Sequence, residues 1–268
     1  MAGRPINDPS KLNDASALLK DLLDNRVTYG YDLLADYSQI FSLTNELNKE
    51  IIFAVQESRA IPNQGSTMAF VMTPINSNFS GPKGQYHLGC SKTFYNSYEP
   101  ADVRRDVSWI YSYTHSGTGA LITYGVDDPY KDTTSGIAPG KYKDSDMNCC
   151  DGANDIIIFR FADAYLMYAE IQNELNGPNA AAYQYLNAIR TRAKATTYNP
   201  AAGLTKDQFR ELIYKERFWE LSFEFHEVFD IRRFGKVQEA ISQNFLAKKY
   251  NTVYKPEFDF FPIPSVEK

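Results

Sequence analysis

The stretch that decides the fold reads Asn154-Asp155-Ile156-Ile157-Ile158-Phe159-Arg160-Phe161-Ala162-Asp163-Ala164-Tyr165-Leu166-Met167-Tyr168-Ala169-Glu170. Ala162, Leu166 and Ala169, continued by Asn173, follow i, i+4, i+7, i+11, the spacing of one face of an α-helix. After Asn176-Gly177-Pro178 the same spacing returns at Ala182, Leu186, Ile189 and Ala193. Small residues at matched positions and a short Gly-Pro turn predict two antiparallel helices, a helix hairpin. The hairpin is similar to one tetratricopeptide unit, and no repeat of roughly 34 residues extends it into an array.

Working outward, Thr205-Lys206-Asp207-Gln208 reads as a capping box that opens a third helix. Its apolar face is Phe209, Leu212, Ile213, Trp219 and Phe223, and Glu216 and Glu220 fall close to that face. Upstream, Leu12, Ala15, Leu18, Leu19, Leu22 and Leu23 predict a helix between the start signals Asp8-Pro9-Ser10 and the stop at Asn25. Residues 31–41 read as a second short helical segment, with Leu33, Leu34, Tyr37, Ile40 and Phe41 on one side. Residues 50–55, a run of β-branched and aromatic side chains after Glu50, read as a buried strand. From 59 to 154 the helical period vanishes and Gly, Pro, Ser, Thr and Asn recur; 68–72 and 120–124 are the candidate strands there. Residues 258–264 are extended. The fold class expected is mainly α, tetratricopeptide-like helix hairpins with a long loop-rich region containing short strands. One unit covers 1–268: helices and strand in 7–58, a loop-rich candidate ligand region in 59–154, and the hairpin, capping helix and extended tail in 155–268.

Composition narrows the function. The 268 residues are 43% hydrophobic and 23% charged, ordinary globular values. A net charge of -5 disfavours nucleic acid and anionic membrane surfaces as partners. No run of about 18 apolar residues spans a membrane. The start, Met1-Ala2-Gly3-Arg4-Pro5, lacks the apolar segment of a signal peptide, which predicts a cytosolic protein or one whose export signal has been removed. Cys90, Cys149 and Cys150 are too few for a disulfide framework, and the last two do not bridge each other without strain. His87, His115 and His226 share no metal-ligand spacing. No metal and no cofactor is expected.

Paired carboxylates such as Glu216 and Glu220, near Glu224 and Asp230, are what glycoside hydrolysis uses. The abundance of arginine around them (Arg160, Arg190, Arg192, Arg217, Arg232, Arg233) favours a structural ion network instead, and no catalytic residue is assigned. Asp144-Ser145-Asp146-Met147-Asn148, with Asp151 and Asp155, has the look of a cation loop, but Cys149 stands where such a loop wants Gly, so these acids read as turn caps. Ser116-Gly117-Thr118-Gly119 lacks the Lys of a phosphate loop.

Aromatics are the remaining signal: Tyr 19, Phe 17 and Trp 2. In the loop-rich region Tyr86, Phe94, Tyr95, Tyr98, Trp109, Tyr111 and Tyr113 cluster in sequence. Trp109, Tyr111 and Tyr113 alternate, which places them on one face of a strand, with Arg104, Arg105 and Asp106 close in sequence. Tyr95 and Tyr98 flank Asn96 and Ser97. A sugar presents an apolar face and a hydroxylated rim, so flat rings beside hydrogen-bonding groups suit it; the competing reading is that the rings are core. The candidate ligand-binding residues are Tyr95, Tyr98, Trp109, Tyr111 and Tyr113.

The segment from Asn154 to Glu170 resembles a hallmark of the SusD/RagB family, nutrient-binding lipoproteins of the Bacteroidota outer membrane. Leu186-Asn187-Ala188-Ile189-Arg190-Thr191-Arg192-Ala193 is similar to that family's Asn-x-x-Arg-x-Arg-Ala element. Glu216-Arg217-Phe218-Trp219-Glu220-Leu221-Ser222-Phe223-Glu224 and Phe229-Asp230-Ile231-Arg232-Arg233-Phe234-Gly235 resemble its Glu-Arg and Asp-x-Arg-Arg elements, and Pro262-Ile263-Pro264 its closing element. Glu227 departs from the pattern, standing where many members carry a basic residue. The resemblance covers the C-terminal half or so of a typical member, without the lipidated cysteine and most of the helix pairs. It implies a surface-exposed protein of the cell outer membrane. Such a protein binds glycan or another nutrient oligomer for a SusC-like TonB-dependent transporter and touches the membrane only through a lipid anchor absent from this chain. It implies no enzyme activity. The alternatives are a cytosolic helical-repeat interaction module, which needs a concave helical groove, and a carbohydrate-active enzyme, which needs two carboxylates facing a cleft.

Overall fold

A computed structural model describes residues 8–61, 64–81, 84–85, 89–124, 137–148, 151–244, 247–248 and 250–261. Expectations for Met1–Pro5, Tyr86, His87, Cys149, Cys150 and Pro262–Pro264 lie outside the described residues.

Helices dominate the architecture. The hairpin forms as α6 (Phe161–Asn176) and α7 (Ala180–Arg192). Gly177 takes a positive φ of 73° to turn the chain, and the Asn179 side chain accepts the Ala182 amide at 2.8 Å to start α7. All eight residues of the predicted faces are buried, from Ala162 to Ala193. The third helix is α8 (Lys206–Glu220), and both bonds of its capping box form: Thr205 N–H to Gln208 Oε1 at 2.9 Å and Gln208 N–H to Thr205 Oγ1 at 3.2 Å. Phe209 and Ile213 are fully buried against α6 and α7. The N-terminal helix α1 (Leu12–Asp24) lies on α6 and buries Leu23. Short helices complete the chain: α2 (Arg26–Tyr29), α3 (Met68–Met72), α4 (Lys92–Tyr95), α5 (Arg104–Ser108), α9 (Glu227–Arg233) and α10 (Val237–Gln243).

Among the described residues three two-stranded ribbons hold the loops. β1 (Ile51–Val55) pairs antiparallel with β6 (Ile156–Arg160), β2 (Trp109–Ile110) with β5 (Ala138–Pro139), and β3 (Ser112–Thr114) with β4 (Leu121–Thr123). Four expectations need correction. Residues 31–36 take no regular secondary structure, and a 3-10 turn follows at Tyr37–Phe41. The strand at 50–55 is not buried: a ribbon has one face to spare, and Phe53 and Val55 point outward. Met68–Met72 forms a helical turn, because no neighbouring strand takes its amides and Thr67 O and Ala69 O accept those of Val71 and Thr73. Pro256–Asp259 is a 3-10 turn at the start of the supposedly extended tail.

Five buried carboxylates (Glu50, Asp102, Glu216, Glu220, Glu224) face five buried cations (Arg104, Lys141, Arg160, Arg190, Arg192). Glu216 takes Arg104 at 2.6 Å and Arg190 at 2.7 Å. Glu220 takes Arg160 at 2.5 Å, Arg104 at 3.1 Å and also Arg192. Arg160 reaches on to Glu50 at 2.8 Å and Glu224 at 2.6 Å, and Lys141 holds Glu224 at 2.6 Å. Glu220 ends α8, where a helix leaves carbonyls unpaired and favours positive charge. Its carbonyl accepts from Tyr37 Oη at 2.7 Å, Arg160 at 2.7 Å and Lys141 at 3.1 Å. Glu224 enters the cluster from a turn in which Phe223 and Phe225 both hold positive φ (60° and 67°), a conformation costing about 1–2 kcal/mol per residue.

A second network joins Arg217 to Asp163 at 2.5 Å and Asp230 at 2.8 Å, and Arg233 to Asp230 and Glu170. Arg232 was an expected partner of Glu216 and Glu220, but the structure corrects this. It lies beyond the turn, bonding Val228 O at 3.0 Å and covering the Phe261 ring at 4.2 Å. Glu227 stays outside the pairing and accepts the Phe223 amide at 2.6 Å.

Breaking one partner of a buried pair leaves the other charge stranded, at about 3–5 kcal/mol. Glu220→Ala is therefore expected to lower the urea unfolding midpoint clearly; an unchanged midpoint contradicts the network.

Stability also depends on pH. Burial alone raises the Glu220 carboxyl, but Arg192, Arg160 and Arg104 outweigh it and hold the group far below the ordinary carboxylate range. In Glu224 and Asp230 burial is likewise overcome, by Arg160 with Lys141 and by Arg217 with Arg233. Groups depressed on folding add stability that is complete above their unfolded pKa of about 4 and is lost as pH falls. The melting temperature is expected to drop steadily from about pH 5 to pH 3, and less steeply in Glu220→Gln. A flat profile in the parent contradicts the assignment.

Candidate functional site

The loop-rich region has its own core, and the predicted rings build it. Ser91 caps α4 by accepting the Phe94 amide at 3.1 Å, which sets Phe94 and Tyr95 inward. Trp109 leaves α5 into β2, and its Nε1 donates to Tyr98 Oη at 3.2 Å. Tyr98 Oη donates to the Trp219 carbonyl at 3.1 Å and lies 3.1 Å from the Ser222 hydroxyl. Phe94 meets Tyr98 and Trp109 edge-on at 5.6 and 5.8 Å, and Phe223 meets Trp109 at 5.0 Å. Tyr113 Oη donates to Ile75 O at 2.9 Å. Tyr98, Trp109 and Tyr113 are only 4, 4 and 5% exposed, with polar ends bonded internally. Trp109, Tyr111 and Tyr113 all pack toward this one ring cluster, the first and last buried and Tyr111 half-buried, while Ser112 and Thr114 are exposed, so the alternating face is turned to the core.

Tyr95 and Tyr111 form a different arrangement. Their rings stack at 5.1 Å with planes 16° apart, and Arg105 covers the Tyr95 ring at 5.2 Å. Tyr95 Oη donates to Asp106 at 2.7 Å, and Arg105 forks onto the same carboxylate with two bonds of 3.0 Å. Burial first, then Asp106, pushes the Tyr95 hydroxyl up to about 12, so it remains a donor at neutral pH. Arg105 and Tyr95 together hold Asp106 below its ordinary value. Tyr111 is half-buried and Asp106, Asn96 and Ser97 are exposed, so this edge joins a ring to charged and amide groups at the surface. Ser97 itself accepts Trp219 Nε1 at 3.0 Å.

Other sequence candidates resolve into supports. Arg104, grouped by sequence with the rings, lies wholly inside the ion cluster. Asp144 accepts from Arg59 at 2.9 Å and from the amides of Asp146 and Ala153 at 3.2 and 2.8 Å, a turn-capping role. Among the described residues no group of three His, Cys, Asp or Glu side chains is placed to hold a metal, and no helix is long and apolar enough to cross a membrane. Sequence reasoning missed Lys141 and Glu50 in the ion cluster; the signal was a charge set directly against an apolar or aromatic neighbour, Glu50 before Ile51 and Lys141 before Tyr142.

The SusD family model matches residues 54–268. The chain belongs to the SusD family. SusD-like protein P25 from Formosa agariphila is 30% identical over 280 residues, covering 88% of this chain and 50% of that protein. A SusD-like protein from Bacteroides ovatus is 25% identical, covering 84% of this chain and 41% of its own. Surface glycan-binding protein A from Bacteroides thetaiotaomicron, solved with laminarihexaose, superposes with a TM-score of 0.72 at 21% identity, over 98% of this chain and 58% of that one. A SusD homolog from the same organism reaches 0.76 at 24% identity, over 99% and 58%. The chain thus spans about half the length of the curated SusD relatives it matches.

The packing separates two kinds of ring. Trp109→Ala and Tyr98→Ala are expected to lower stability by about 3–5 kcal/mol, while Tyr111→Ala is expected to cost markedly less. Differential scanning calorimetry of the three variants checks this; a Tyr111→Ala variant that melts as early as Trp109→Ala contradicts the distinction.

Proposed function

We propose that this chain is the glycan-capturing part of a cell-surface protein of the Bacteroidota outer membrane, which delivers oligosaccharide to a SusC-like TonB-dependent transporter. The observation that carries the reading is the Arg105–Tyr95–Tyr111 stack with its Asp106 edge, on a chain of SusD family membership. A ring face binds the apolar face of a sugar, and a carboxylate beside a guanidinium accepts from and donates to its hydroxyls. Residues 59–154 are the ligand-facing region in this reading. Tyr111 and Asp106 meet the sugar in this reading, and Tyr95, buried at 9% exposure, acts with Tyr98, Trp109 and Tyr113 by fixing the loops that present them. Laminarihexaose, the ligand in the complex of glycan-binding protein A, is the first probe.

Isothermal titration of the chain with laminarihexaose and a panel of soluble plant and algal oligosaccharides tests this. At least one glycan is expected to bind, at least tenfold more weakly to Tyr111→Ala with its melting temperature close to the parent's. No released reducing ends are expected on prolonged incubation. Binding unchanged in Tyr111→Ala removes the stack from the site, and hydrolysis that disappears in Glu216→Gln overturns the binding-protein reading.

A further inference from the structure

Trp219 is the second tryptophan of the chain, and unlike Trp109 it stands half-buried at the surface. It comes late in α8, and its indole Nε1 donates to the Ser97 hydroxyl at 3.0 Å. The Arg190 guanidinium lies over the Trp219 ring at 5.7 Å and over the half-buried Tyr198 ring at 4.2 Å. Arg190 is buried and spends its nitrogens on Glu216 at 2.7 Å, on Glu99 and on the Thr196 carbonyl. It holds both rings in place without itself facing solvent. Glu99 does face solvent, with 36% of its side chain exposed, and it accepts the Thr196 amide and hydroxyl at 2.8 and 2.7 Å. Burial raises the Glu99 carboxyl, but Thr196 and Arg190 outweigh it and hold the group below its ordinary value, so it is an acceptor at neutral pH. The pattern repeats that of the Tyr111 edge, where a ring, an arginine and an exposed carboxylate also meet.

The two edges share one segment. Tyr95, at the end of α4, stacks on Tyr111; Ser97 and Glu99, just beyond it, bond Trp219 and Arg190. Asn96 and Ser97 between the two edges are exposed. Beneath them Phe94 meets Tyr98 at 5.6 Å and Tyr98 meets Trp219 at 6.3 Å, so both edges rest on one ring cluster.

We propose that Trp219, with Tyr198 and Glu99, forms a second glycan subsite, and that the ligand is an oligosaccharide lying across Asn96 and Ser97 with one unit at Tyr111 and another at Trp219. This subsite rests on the glycan-binding reading given above and adds the length of ligand that the surface takes. A sugar unit stacks on the exposed part of the indole and its hydroxyls donate to Glu99. Units joined in one ligand make the second contact intramolecular, so affinity rises with chain length, whereas a single sugar fills one subsite only.

The test titrates the protein with laminarihexaose, cellohexaose and mannohexaose and with their disaccharides, reading affinity by calorimetry and tryptophan emission in parallel. At least one hexasaccharide is expected to bind about tenfold or more tighter than its disaccharide. Its saturation is expected to shift the emission and to shield it from acrylamide, because Trp219 is the accessible tryptophan and Trp109 is only 4% exposed. Trp219→Ala is expected to weaken the hexasaccharide by about tenfold or more, as truncation of a contacting tryptophan does. Trp219→Phe is expected to recover most of that loss and to show no emission shift. If Trp219→Ala melts too early to titrate, Trp219→Phe and acrylamide protection of the parent decide. A hexasaccharide that is weakened by Tyr111→Ala, yet leaves the parent's emission and quenching unchanged or binds Trp219→Ala as tightly as the parent, overturns the second subsite and leaves the glycan-binding reading standing. Equal affinity for hexasaccharide and disaccharide does the same. Binding of none of the six sugars by the parent counts against both.

Discussion

Glu220 is the residue on which the rest of the structure depends. Its carboxylate gathers three guanidiniums and its carbonyl gathers a phenol, a second bond from Arg160 and the Lys141 ammonium. Those groups come from the 3-10 turn, α5, the segment before Tyr142, β6 and α7, so one helix end fixes the positions of five other parts of the chain. Five charges of each sign in an apolar interior are tolerable only because every one is paired, most of them more than once, and the sum is balanced. Burial draws Lys141 down to about 8 even so, against the pull of Glu224.

From this centre the fold divides its labour. The α6–α7 hairpin with α1 and α8 buries aliphatic side chains at small-residue contacts and supplies a stiff platform. The loop-rich half packs rings, and it is fastened to the platform where α8 ends: Tyr98 on the Trp219 carbonyl, Trp109 on Phe223, and Arg104 on Glu216 and Glu220. Segments with little regular hydrogen bonding are thereby held in place.

The sequence made these two halves legible to different degrees. The hairpin and the capping box were readable because helical periodicity and cap chemistry are local, visible in Ala162 to Ala193 and in Thr205 with Gln208. The ion cluster was readable in kind, since carboxylates one turn apart amid arginines have few other stable fates, but its partners were not. Choosing Arg104 over Arg232 depends on the direction of the chain after the positive-φ turn at Phe223 and Phe225, which nothing local announces. The alternation of Trp109, Tyr111 and Tyr113 was readable as a shared side, but not which way that side turns: it packs on the ring cluster, with only Tyr111 half-exposed. The Tyr95–Tyr111 stack joins rings sixteen positions apart and is set by tertiary packing.

The spans bridged by the central pairs also set the order in which this chain acquires structure during synthesis. Arg104 and Glu220 are 116 positions apart, and Glu50 and Arg160 are 110 apart. At about 5–20 residues per second, Glu220 follows Arg104 out of the ribosome by about 6–23 s. Through that interval Arg104 lacks Glu216 and Glu220 and has only Asp102 beside it, so withdrawing it from water is costly. The first half of the chain therefore stays hydrated and open to chaperones until α8 emerges, and compaction is keyed to the arrival of the last third.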